Sequence, residues 1–291
     1  MAQLHEAVLQ WYAVHARPLP WREPDTTPWG VFVSEVMAQQ TPVARVAPIW
    51  REWMARWPTP EALAAEPAGE AVRAWGRLGY PRRALRLHEA AREICDEHGG
   101  AVPNSVVALR GLPGVGEYTA AAVACFAFGV VAPVVDTNVR RVLTRVLLGR
   151  EYAAPSLTQA ERDLAASAMP TDSADAVAWN VAVMELGALV CTARAPQCLG
   201  CPVAAQCSWV LAGRPDHDGP PRRGQSWHGT DRQARGILLQ ALRDATGPVA
   251  GENLAALLPD DQQRSRCLDS LVADGLVEPL SHERYRLPGS R

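Results

Sequence analysis

The chain has 291 residues, of which 48% are hydrophobic, and a formal net charge of −2. This length predicts two domains rather than one small core, and a charge near zero does not by itself indicate a nucleic-acid partner. All 29 basic residues are arginines, so no lysine side chain can form a Schiff base. No run of 18 apolar residues could span a membrane. The first residues lack a signal-peptide pattern, which predicts a cytoplasmic protein.

Apolar residues recur at helical spacing along most of the first ~210 residues. Four segments each predict a helix: EALAAEPAGEAVRAWGRL, RRALRLHEAAREICDEHGG, TAAAVACFAFG and TNVRRVLTRVLLG. Gly129 and Gly149 are predicted helix ends, and Thr41–Pro42 a cap and first-turn pair. No alternating strand pattern occurs before residue ~275. This part of the chain is therefore predicted to be all-α.

The composition changes after this helical region. Residues 212–230 are rich in Pro, Gly and Arg and predict an extended linker. Three helical segments follow, 232–245, 251–258 and 262–274, and then LVEPLSHERYRL predicts a two-stranded wing. Three helices and a hairpin favour a small α+β winged-helix-like domain over 231–291. The alternative is a small appendage that only packs on the rest of the chain.

Four of the seven cysteines lie in one run, CTARAPQCLGCPVAAQC: Cys191, Cys198, Cys201 and Cys207. A cytoplasmic protein is not expected to hold them as disulfides. Structural zinc sites usually bring cysteines as separated pairs. A single compact loop of four thiolates is better suited to a [4Fe–4S] cluster. The spacing alone favours an iron–sulfur site and leaves zinc as the alternative.

A glycine turn lies between two helical patterns in LRGLPGVGEYTAAAVACF, at Leu112, Gly114, Val115 and Gly116. Such a turn can bind a backbone phosphate through its amides and through the positive end of the following helix. An ordinary corner between two helices, with glycines for geometry alone, fits the pattern equally well.

Two carboxylates occupy positions suited to chemistry. Asp136 follows an apolar run in VVAPVVDTNVRRVLTR, where an ordinary helix cap is the simpler interpretation. Glu35 lies in VSEVMAQQTPVARV among the apolar Val33, Val36 and Met37. A carboxylate in such surroundings is either paired or has a raised pKa suited to acid catalysis. An exposed helix face is the alternative for Glu35.

The hairpin, an aspartate about twenty residues later and the four-cysteine loop together resemble the helix–hairpin–helix DNA glycosylase superfamily over residues ~1 to ~210. LPWRE, SEVMAQQT, RLGYPRRALRLHEAA and MELGALVCTARAPQC resemble segments of its MutY branch, the adenine glycosylases. The endonuclease III branch has a catalytic lysine where this chain has Tyr118, in GVGEYT. The resemblance therefore implies a monofunctional DNA glycosylase. It would remove adenine mispaired with 8-oxoguanine or guanine in base excision repair.

The resemblance also implies the architecture: an all-α, two-lobed helix–hairpin–helix DNA glycosylase fold with a [4Fe–4S] loop, plus the winged-helix-like domain. Residues 1–20 and 134–211 would form the iron–sulfur cluster lobe, and residues 21–133 a six-helix barrel lobe containing the hairpin. The linker, 212–230, would lead to the C-terminal domain, 231–291. The implied partner is double-stranded DNA containing an adenine mispair. The protein would be a monomer, cytoplasmic and associated with the nucleoid.

The same resemblance assigns roles to residues. Glu35 would protonate adenine at N7, because a purine leaves at high cost unless it is protonated. Asp136 would stabilise the oxocarbenium-like sugar, in a division of labour that glycosidases use. Tyr118 and Asn138 would line the same site. The residues that would hold the flipped adenine or enter the opened duplex are Trp21, Arg22, Glu185, Gln39 and Gln40.

Further residues would bind the DNA backbone and the cluster. DNA would be bound by Leu112, Gly114, Val115, Gly116 and Arg194. The [4Fe–4S] cluster would be bound by Cys191, Cys198, Cys201 and Cys207. The cluster would serve no turnover chemistry and would instead fold the loop that presents Arg194 to phosphates. The arginines of RRVLTR and PRRALR are predicted to form a local DNA-binding surface in spite of the acidic total charge.

The chain departs from the family pattern in three places. Ala38 replaces a leucine, Pro81 replaces a second aromatic residue, and residues 231–291 show no pattern of the Nudix-like domain that reads 8-oxoguanine. One hypothesis assigns that reading to SHERYRL, through His282, Arg284 and Tyr285. The alternative functions are a same-fold glycosylase for hypoxanthine or another mispaired base, and a non-catalytic iron–sulfur DNA-binding protein. The presence of both candidate carboxylates argues against the latter.

Overall fold

The computed structural model describes residues 1–217 and 228–290, which form two compact units. The first unit contains residues 1–23, 104–110 and the described part of 115–221, and the second contains the remainder. Part of the predicted linker lies outside the described residues. No helix in the described part of the chain is long and apolar enough to cross a membrane.

Twelve α-helices precede the predicted linker. They are α1 (Ala2–His15), α2 (Pro28–Ala38), α3 (Val43–Arg56), α4 (Pro60–Ala64), α5 (Ala68–Trp75), α6 (Arg82–His98), α7 (Val106–Gly111), α8 (Glu117–Phe128), α9 (Thr137–Leu148), α10 (Gln159–Ser167), α11 (Ser173–Leu189) and α12 (Ser208–Leu211). Single turns of 3-10 helix cover Pro20–Arg22, Cys198–Gly200 and Ala204–Gln206.

The core of the first unit lies between α1, α9 and α11. Leu4 and Val8 of α1 pack in one cluster with Val139 and Val142 of α9 and with Trp179 of α11. The same cluster includes buried residues of the cysteine-rich segment that follows α11. Packing therefore joins the cysteine loop to the helix that begins beside Asp136.

The core of the second unit is rich in tryptophan. Trp53 lies 4.8 Å from Trp57 and 5.7 Å from Trp75, in edge-to-face contacts between ring centroids. All three side chains are buried. The indole N–H of Trp53 donates to the carbonyl of Ala74 at 3.1 Å, so this large ring is buried without an unsatisfied donor.

The C-terminal segment adds helices α13 (Asp231–Asp244), α14 (Gly251–Leu257) and α15 (Asp261–Ala273) to the second unit. It also has strands β1 (Val249–Ala250), β2 (Glu278–Leu280) and β3 (Arg284–Arg286), in an antiparallel sheet of order β1-β3-β2. The predicted three helices and two-stranded wing are confirmed. The prediction that the first ~210 residues are all-α is confirmed. Strand β1 lies before residue ~275 without an alternating pattern, because a two-residue strand is too short to show one.

Two local predictions are wrong. EALAAEPAGEAVRAWGRL forms two helices, α4 and α5, because Pro67 cannot continue a helix. Thr41 does not cap α3: Pro42 is the N-cap, without a side-chain cap bond. The Thr41 hydroxyl donates to the carbonyls of Gln39 and Leu78 instead. Gly129 and Gly149 do end helices, in the left-handed conformation.

Candidate active site

Helix α2 carries Glu35 at a buried position. The helix begins at Pro28, and the Thr27 side chain caps it by accepting a hydrogen bond from the Gly30 amide at 3.2 Å. Every residue from 29 to 37 is buried, and Glu35 is 9% exposed. The exposed-face alternative for Glu35 is therefore excluded, and its carboxyl group is largely withdrawn from solvent.

Arg83 fixes the turn that follows α2. Its guanidinium donates to the carbonyls of Val36 at 2.8 Å, Gln39 at 2.6 Å and Gly79 at 3.0 Å. Burial lowers the pKa of Arg83 to about 10. Gln39 is half-buried, whereas Gln40 is exposed and has a left-handed backbone, with φ 52°. A half-buried cation therefore holds the turn on which both glutamines lie.

Asp136 is the N-cap of α9 in the first unit. One carboxylate oxygen, Oδ1, accepts from the Val139 amide at 2.6 Å, and Oδ2 accepts from Asn138 Nδ2 at 2.7 Å. Desolvation raises the pKa of Asp136, although these bonds and the nearby Arg141 act in the opposite direction. The carboxylate is thus held in a fixed orientation at the positive end of a helix.

A chain of hydrogen bonds runs from Asp136 to the cysteine loop. Asn138 Oδ1 accepts from Arg141 at 2.7 Å, and Arg141 also donates to the carbonyls of Gly187 at 2.6 Å and Cys191 at 2.6 Å. A Cβ atom on Gly187 would lie 2.7 Å from Asn138 Cβ. Only glycine therefore allows α11 to approach the start of α9 this closely.

Asn180 of α11 fixes the loop that leads to Asp136. Its Oδ1 accepts from the Val134 amide at 2.9 Å, and its Nδ2 donates to the Ala132 carbonyl at 3.0 Å. Tyr118, in the first turn of α8, packs against the small cluster that contains Val134. Tyr118 and Asn138 therefore both lie near the segment that carries Asp136.

Glu185 lies in a buried ion pair. Its side chain is fully buried and accepts from Arg17 Nε at 2.6 Å, from the Arg17 amide at 3.0 Å and from Arg22 at 3.0 Å. Hydrogen bonds from both arginines hold the pKa of Glu185 at about 2, although burial alone would raise it. Because Trp21 and Arg22 lie on one short turn, Glu185 fixes the turn that carries both predicted adenine contacts.

The glycine turn joins α7 to α8. Leu112 and Val115 are buried, whereas Gly114 and Gly116 are exposed. Gly114 has φ 76°, and a Cβ atom there would lie 2.7 Å from Arg86 Cβ, so both conformation and space require glycine. The buried Leu112 and Val115 thus hold the turn between α7 and α8. Its exposed residues, Gly114 and Gly116, present only backbone atoms to solvent.

The four cysteines of the loop line one cavity with apolar side chains. Burial and the other three thiols raise the pKa of Cys201 to about 11, and burial raises the pKa of Cys207 as well. No group of three or more His, Cys, Asp or Glu in the described ranges is arranged to hold a metal ion. Four thiols that line one cavity fit a site where a metal cluster would replace their protons.

Arg145 places a positive charge beside these sulfur atoms. It is 1% exposed, donates to Cys191 Sγ at 3.4 Å and to the Thr192 carbonyl at 2.8 Å, and lies 4.6 Å from the Trp209 ring. No carboxylate of the described residues lies within 4.0 Å of its nitrogens. A four-thiolate cluster, which carries net negative charge, fits beside this buried cation. Arg194, in the same loop, is exposed.

The predicted DNA-binding surface of RRVLTR and PRRALR is wrong for most of its arginines. Arg83, Arg141 and Arg145 donate to main-chain carbonyls, and Arg140 pairs with Glu161 at 2.7 Å. These partners come from distant segments, so spacing in the sequence gives no sign of them. Asn180 belongs to none of the sequence motifs, because a single Asn within an apolar helix carries no pattern.

Comparisons with known proteins identify the family of this chain. The family model for HhH-GPD superfamily base excision DNA repair proteins matches residues 33–166. The chain is 52% identical over 284 residues to the adenine DNA glycosylase of Mycobacterium tuberculosis strain H37Rv, with 97% of this chain and 92% of that protein covered. It is 51% identical over 283 residues to that of Mycolicibacterium smegmatis, with 97% and 95% covered.

A solved thermostable thymine-DNA glycosylase superimposes with a TM-score of 0.65 and 30% identity, over 72% of this chain and 95% of that one. The fold and these relatives place the chain among the DNA glycosylases of the helix–hairpin–helix superfamily, a class that hydrolyses N-glycosyl bonds. Within that superfamily, the chain belongs to the adenine DNA glycosylase family. The resemblance and the fold class predicted from the sequence are confirmed.

Proposed function

We propose that this protein removes adenine mispaired with 8-oxoguanine or guanine from double-stranded DNA, as the first step of base excision repair. The observation that carries the proposal is the environment of the two carboxylates. Glu35 is withdrawn from solvent on α2, and Asp136 is oriented by two hydrogen bonds at the start of α9. Two carboxyl groups in unlike environments are suited to acid catalysis and to cation stabilisation, respectively.

In the proposed reaction, Glu35 donates its proton to N7 of adenine as the bond from N9 to C1′ breaks. Adenine leaves as a neutral base, and the electron deficiency stays on the sugar as an oxocarbenium ion. Asp136 stabilises that cation, water then adds to C1′, and the proton that this water loses returns to the Glu35 carboxylate. Asn138 holds Asp136, and Tyr118 borders the segment that carries it. The adenine must leave the duplex to reach these groups.

Substrate contacts are assigned to two turns. We propose that Trp21 and Arg22 contact the flipped adenine and that Glu185 fixes their turn through its ion pair. Gln39 and Gln40, on the turn held by Arg83, would enter the duplex where it is opened. The exposed amides of the Gly114–Gly116 turn and the exposed Arg194 would bind phosphates. We propose that the protein acts as a monomer at the nucleoid.

The cofactor of this proposal is a [4Fe–4S] cluster held by Cys191, Cys198, Cys201 and Cys207. When bound, the cluster would supply fixed negative charge and a folded loop rather than turnover chemistry. The single cavity that the four cysteines line, and the buried Arg145 beside Cys191, support this assignment, because a buried cation favours the thiolate form of a cluster ligand.

We expect anaerobically purified protein to be yellow-brown and to contain about four iron atoms per chain. Elemental analysis and the visible absorption spectrum measure this. Cys198→Ser should lower the iron content, whereas Cys95→Ser, which changes a cysteine outside the loop, should leave it unchanged. Stoichiometric zinc without iron in the wild-type protein would overturn the cofactor assignment.

Base release from a panel of duplexes tests the proposed function. We expect release from A:8-oxoG and A:G, and little from A:C, I:T and T:G. The chain has no lysine to form a Schiff base. We therefore expect abasic sites without strand cleavage. We also expect no borohydride-trapped protein–DNA adduct at a yield that matches base release. Preferential release from I:T or T:G would favour the same-fold alternatives. Absence of release from every duplex would favour a non-catalytic DNA-binding protein.

A further inference from the structure

Two adjacent turns of the second unit each hold a residue other than glycine in the left-handed backbone conformation. In the glutamine turn, residues 36–41, Gln40 has φ 52°. In the tyrosine turn, residues 76–81, Tyr80 has φ 48°. A residue with a side chain adopts this conformation at a cost in free energy, and the conformation persists where the surrounding structure fixes it. The contacts around both turns must therefore compensate for this cost.

Hydrogen bonds join the two turns to each other. Arg83, in the first turn of α6, donates to the carbonyl of Gln39 at 2.6 Å and to that of Gly79 at 3.0 Å. The Thr41 hydroxyl donates to the Leu78 carbonyl at 3.0 Å. One guanidinium and one hydroxyl thus bridge the glutamine turn and the tyrosine turn. A displacement of the tyrosine turn would therefore be transmitted to the glutamine turn.

The C-terminal segment contacts the tyrosine turn and the residue that follows it. The guanidinium carbon of Arg232, in the first turn of α13, lies 5.4 Å from the centroid of the Tyr80 ring. Asp274, at the end of α15, pairs with Arg82 at the start of α6, at 3.3 Å, and with Arg235 of α13. Asp274 thus joins three helices beside the tyrosine turn.

The other end of α13 is fixed on α5 by a reciprocal exchange of bonds. Arg73 of α5 donates to the Ala245 carbonyl at the end of α13, at 2.8 Å, and Arg243 of α13 donates to the Val72 carbonyl of α5 at 2.9 Å. The last carbonyls of a helix lack partners within it, so each arginine satisfies the end of the other helix. Helix α5 ends at Trp75, whose indole N–H donates to a carbonyl of the tyrosine turn at 2.9 Å. Both ends of α13 are therefore held against elements that carry this turn.

The charge of the C-terminal segment favours a supporting role over a second DNA-binding surface. Residues 228–290 contain nine acidic residues and seven arginines. Three of these arginines pair with carboxylates of the same segment: Arg235 with Asp274, Arg266 with Asp231, and Arg286 with Glu278. DNA phosphates bind to surfaces with an excess of positive charge. The segment is therefore better suited to hold the tyrosine turn than to bind the duplex backbone.

We propose that the C-terminal segment positions the glutamine turn for insertion into the duplex. It acts through Arg232 and Asp274, which hold the tyrosine turn, and through Arg83, which joins that turn to the glutamine turn. Arg232 and Asp274 are thus positioning residues that act through other residues of the protein. This inference rests on the proposed function for one point, the insertion of Gln39 and Gln40. It differs from lesion reading by the wing, because α13 and α15 carry the contacts.

Arg232→Ala combined with Asp274→Ala tests the proposal. The two changes remove the contacts with Tyr80 and Arg82 and leave the net charge unchanged. Asp231→Ala combined with Arg266→Ala is the matched control. It removes the same two residue types from α13 and α15, but the ion pair that it breaks, at 2.9 Å, lies within the C-terminal segment.

Three measurements on duplexes containing 8-oxoguanine separate duplex opening from binding. The fluorescence of 2-aminopurine, placed instead of the target adenine, rises when this analogue leaves the base stack. Single-turnover rates measure adenine release, and anisotropy measures duplex affinity. At saturating protein, the test variant should lose about five- to tenfold in the fluorescence increase and in the rate, because a cation–π contact and an exposed ion pair are removed. Its duplex affinity should stay within about twofold of the wild type, and the control should match the wild type in all three measurements.

Gln39→Ala combined with Gln40→Ala provides the test of coupling. In that background the changes at Arg232 and Asp274 should lower the rate by less than about twofold, because they act through the glutamine turn. An undiminished loss there would overturn the proposal, as would an equal loss in the matched control. Weaker binding with an unchanged rate at saturating protein would also overturn it, because it would indicate a direct phosphate contact. The proposed function fails separately, if the wild-type protein unstacks 2-aminopurine but releases adenine from no mispair.

Discussion

Replacement of Glu35 by glutamine is expected to slow adenine release by ~10²–10⁴-fold, the usual worth of a general acid. Glutamine has nearly the same volume and occupies the same buried position on α2, so the fold should persist. What is lost is the proton for adenine N7. Without it, the base would have to leave as an anion, and the barrier rises accordingly. Single-turnover assays on an A:8-oxoG duplex measure this chemical step directly.

Asp136→Asn is expected to abolish base release by a different route. Asparagine can still accept from the Val139 amide, so α9 keeps its cap. The variant loses the negative charge that is proposed to stabilise the sugar cation. The matched control is Asp172→Asn, since Asp172 caps α11 by accepting from the Asp175 amide and has no proposed role in catalysis. Duplex affinity should be nearly unchanged in Glu35→Gln, Asp136→Asn and Asp172→Asn.

Glu35→Gln activity above roughly a tenth of wild type would show that the role of general acid is misassigned to Glu35.

Asp136 also sets an expectation for pH dependence. Its pKa is raised above the ordinary 3.8 because desolvation outweighs its hydrogen bonds. Since the charged form is proposed to stabilise the sugar cation, the rate of base release should fall on the acid side at a pH above this ordinary value.

The helical architecture followed from the sequence because apolar residues recur at helical spacing and glycines end the helices. Two local features were not predicted from the sequence. A proline divides EALAAEPAGEAVRAWGRL, and β1 is a two-residue strand whose pairing depends on residues 284–285. Neither feature changes the periodic pattern of apolar residues. In the case of β1, a short strand gains its stability from its partner rather than from its own composition.

The candidate catalytic residues could be predicted because they lie in motifs, whereas the residues that hold them could not. Arg83, Arg141 and Asn180 each fix a functional turn by bonding to carbonyls or amides more than forty residues away. An arginine in a sequence is expected on the surface, and only the folded chain shows which carbonyls surround it. For the same reason, the spacing of arginines in RRVLTR and PRRALR does not show that most of them bond to groups within the protein.

Among the residues that hold the site in place, Glu185 has the largest expected effect on the free energy of unfolding. The resemblance assigned it to adenine binding, but the structure shows a buried carboxylate engaged by Arg17 and Arg22. Its pKa of about 2, against the ordinary 4.5, corresponds to about 3 kcal/mol of stability at neutral pH. Because the folded-state pKa is lowered, this stability is present above pH 4.5 and is lost as the pH falls through the range from 4.5 to about 2.

Glu185→Gln should therefore unfold more easily, by about 3–5 kcal/mol, because it leaves two partly buried guanidiniums without their counter-charge. For a chain of this size the thermal midpoint of the holoprotein should fall by roughly 10 °C at pH 7. The difference from wild type should shrink as the pH approaches 3, where the wild-type carboxylate loses its advantage. Glu70→Gln is the matched control: its ion pairs with Arg56 and Arg73 are partly exposed, and it should cost only about 0–1 kcal/mol. If Glu185→Gln has wild-type stability but no longer releases adenine, a positioning role is contradicted. The Glu185 carboxylate would then leave its two arginines and contact the adenine base directly.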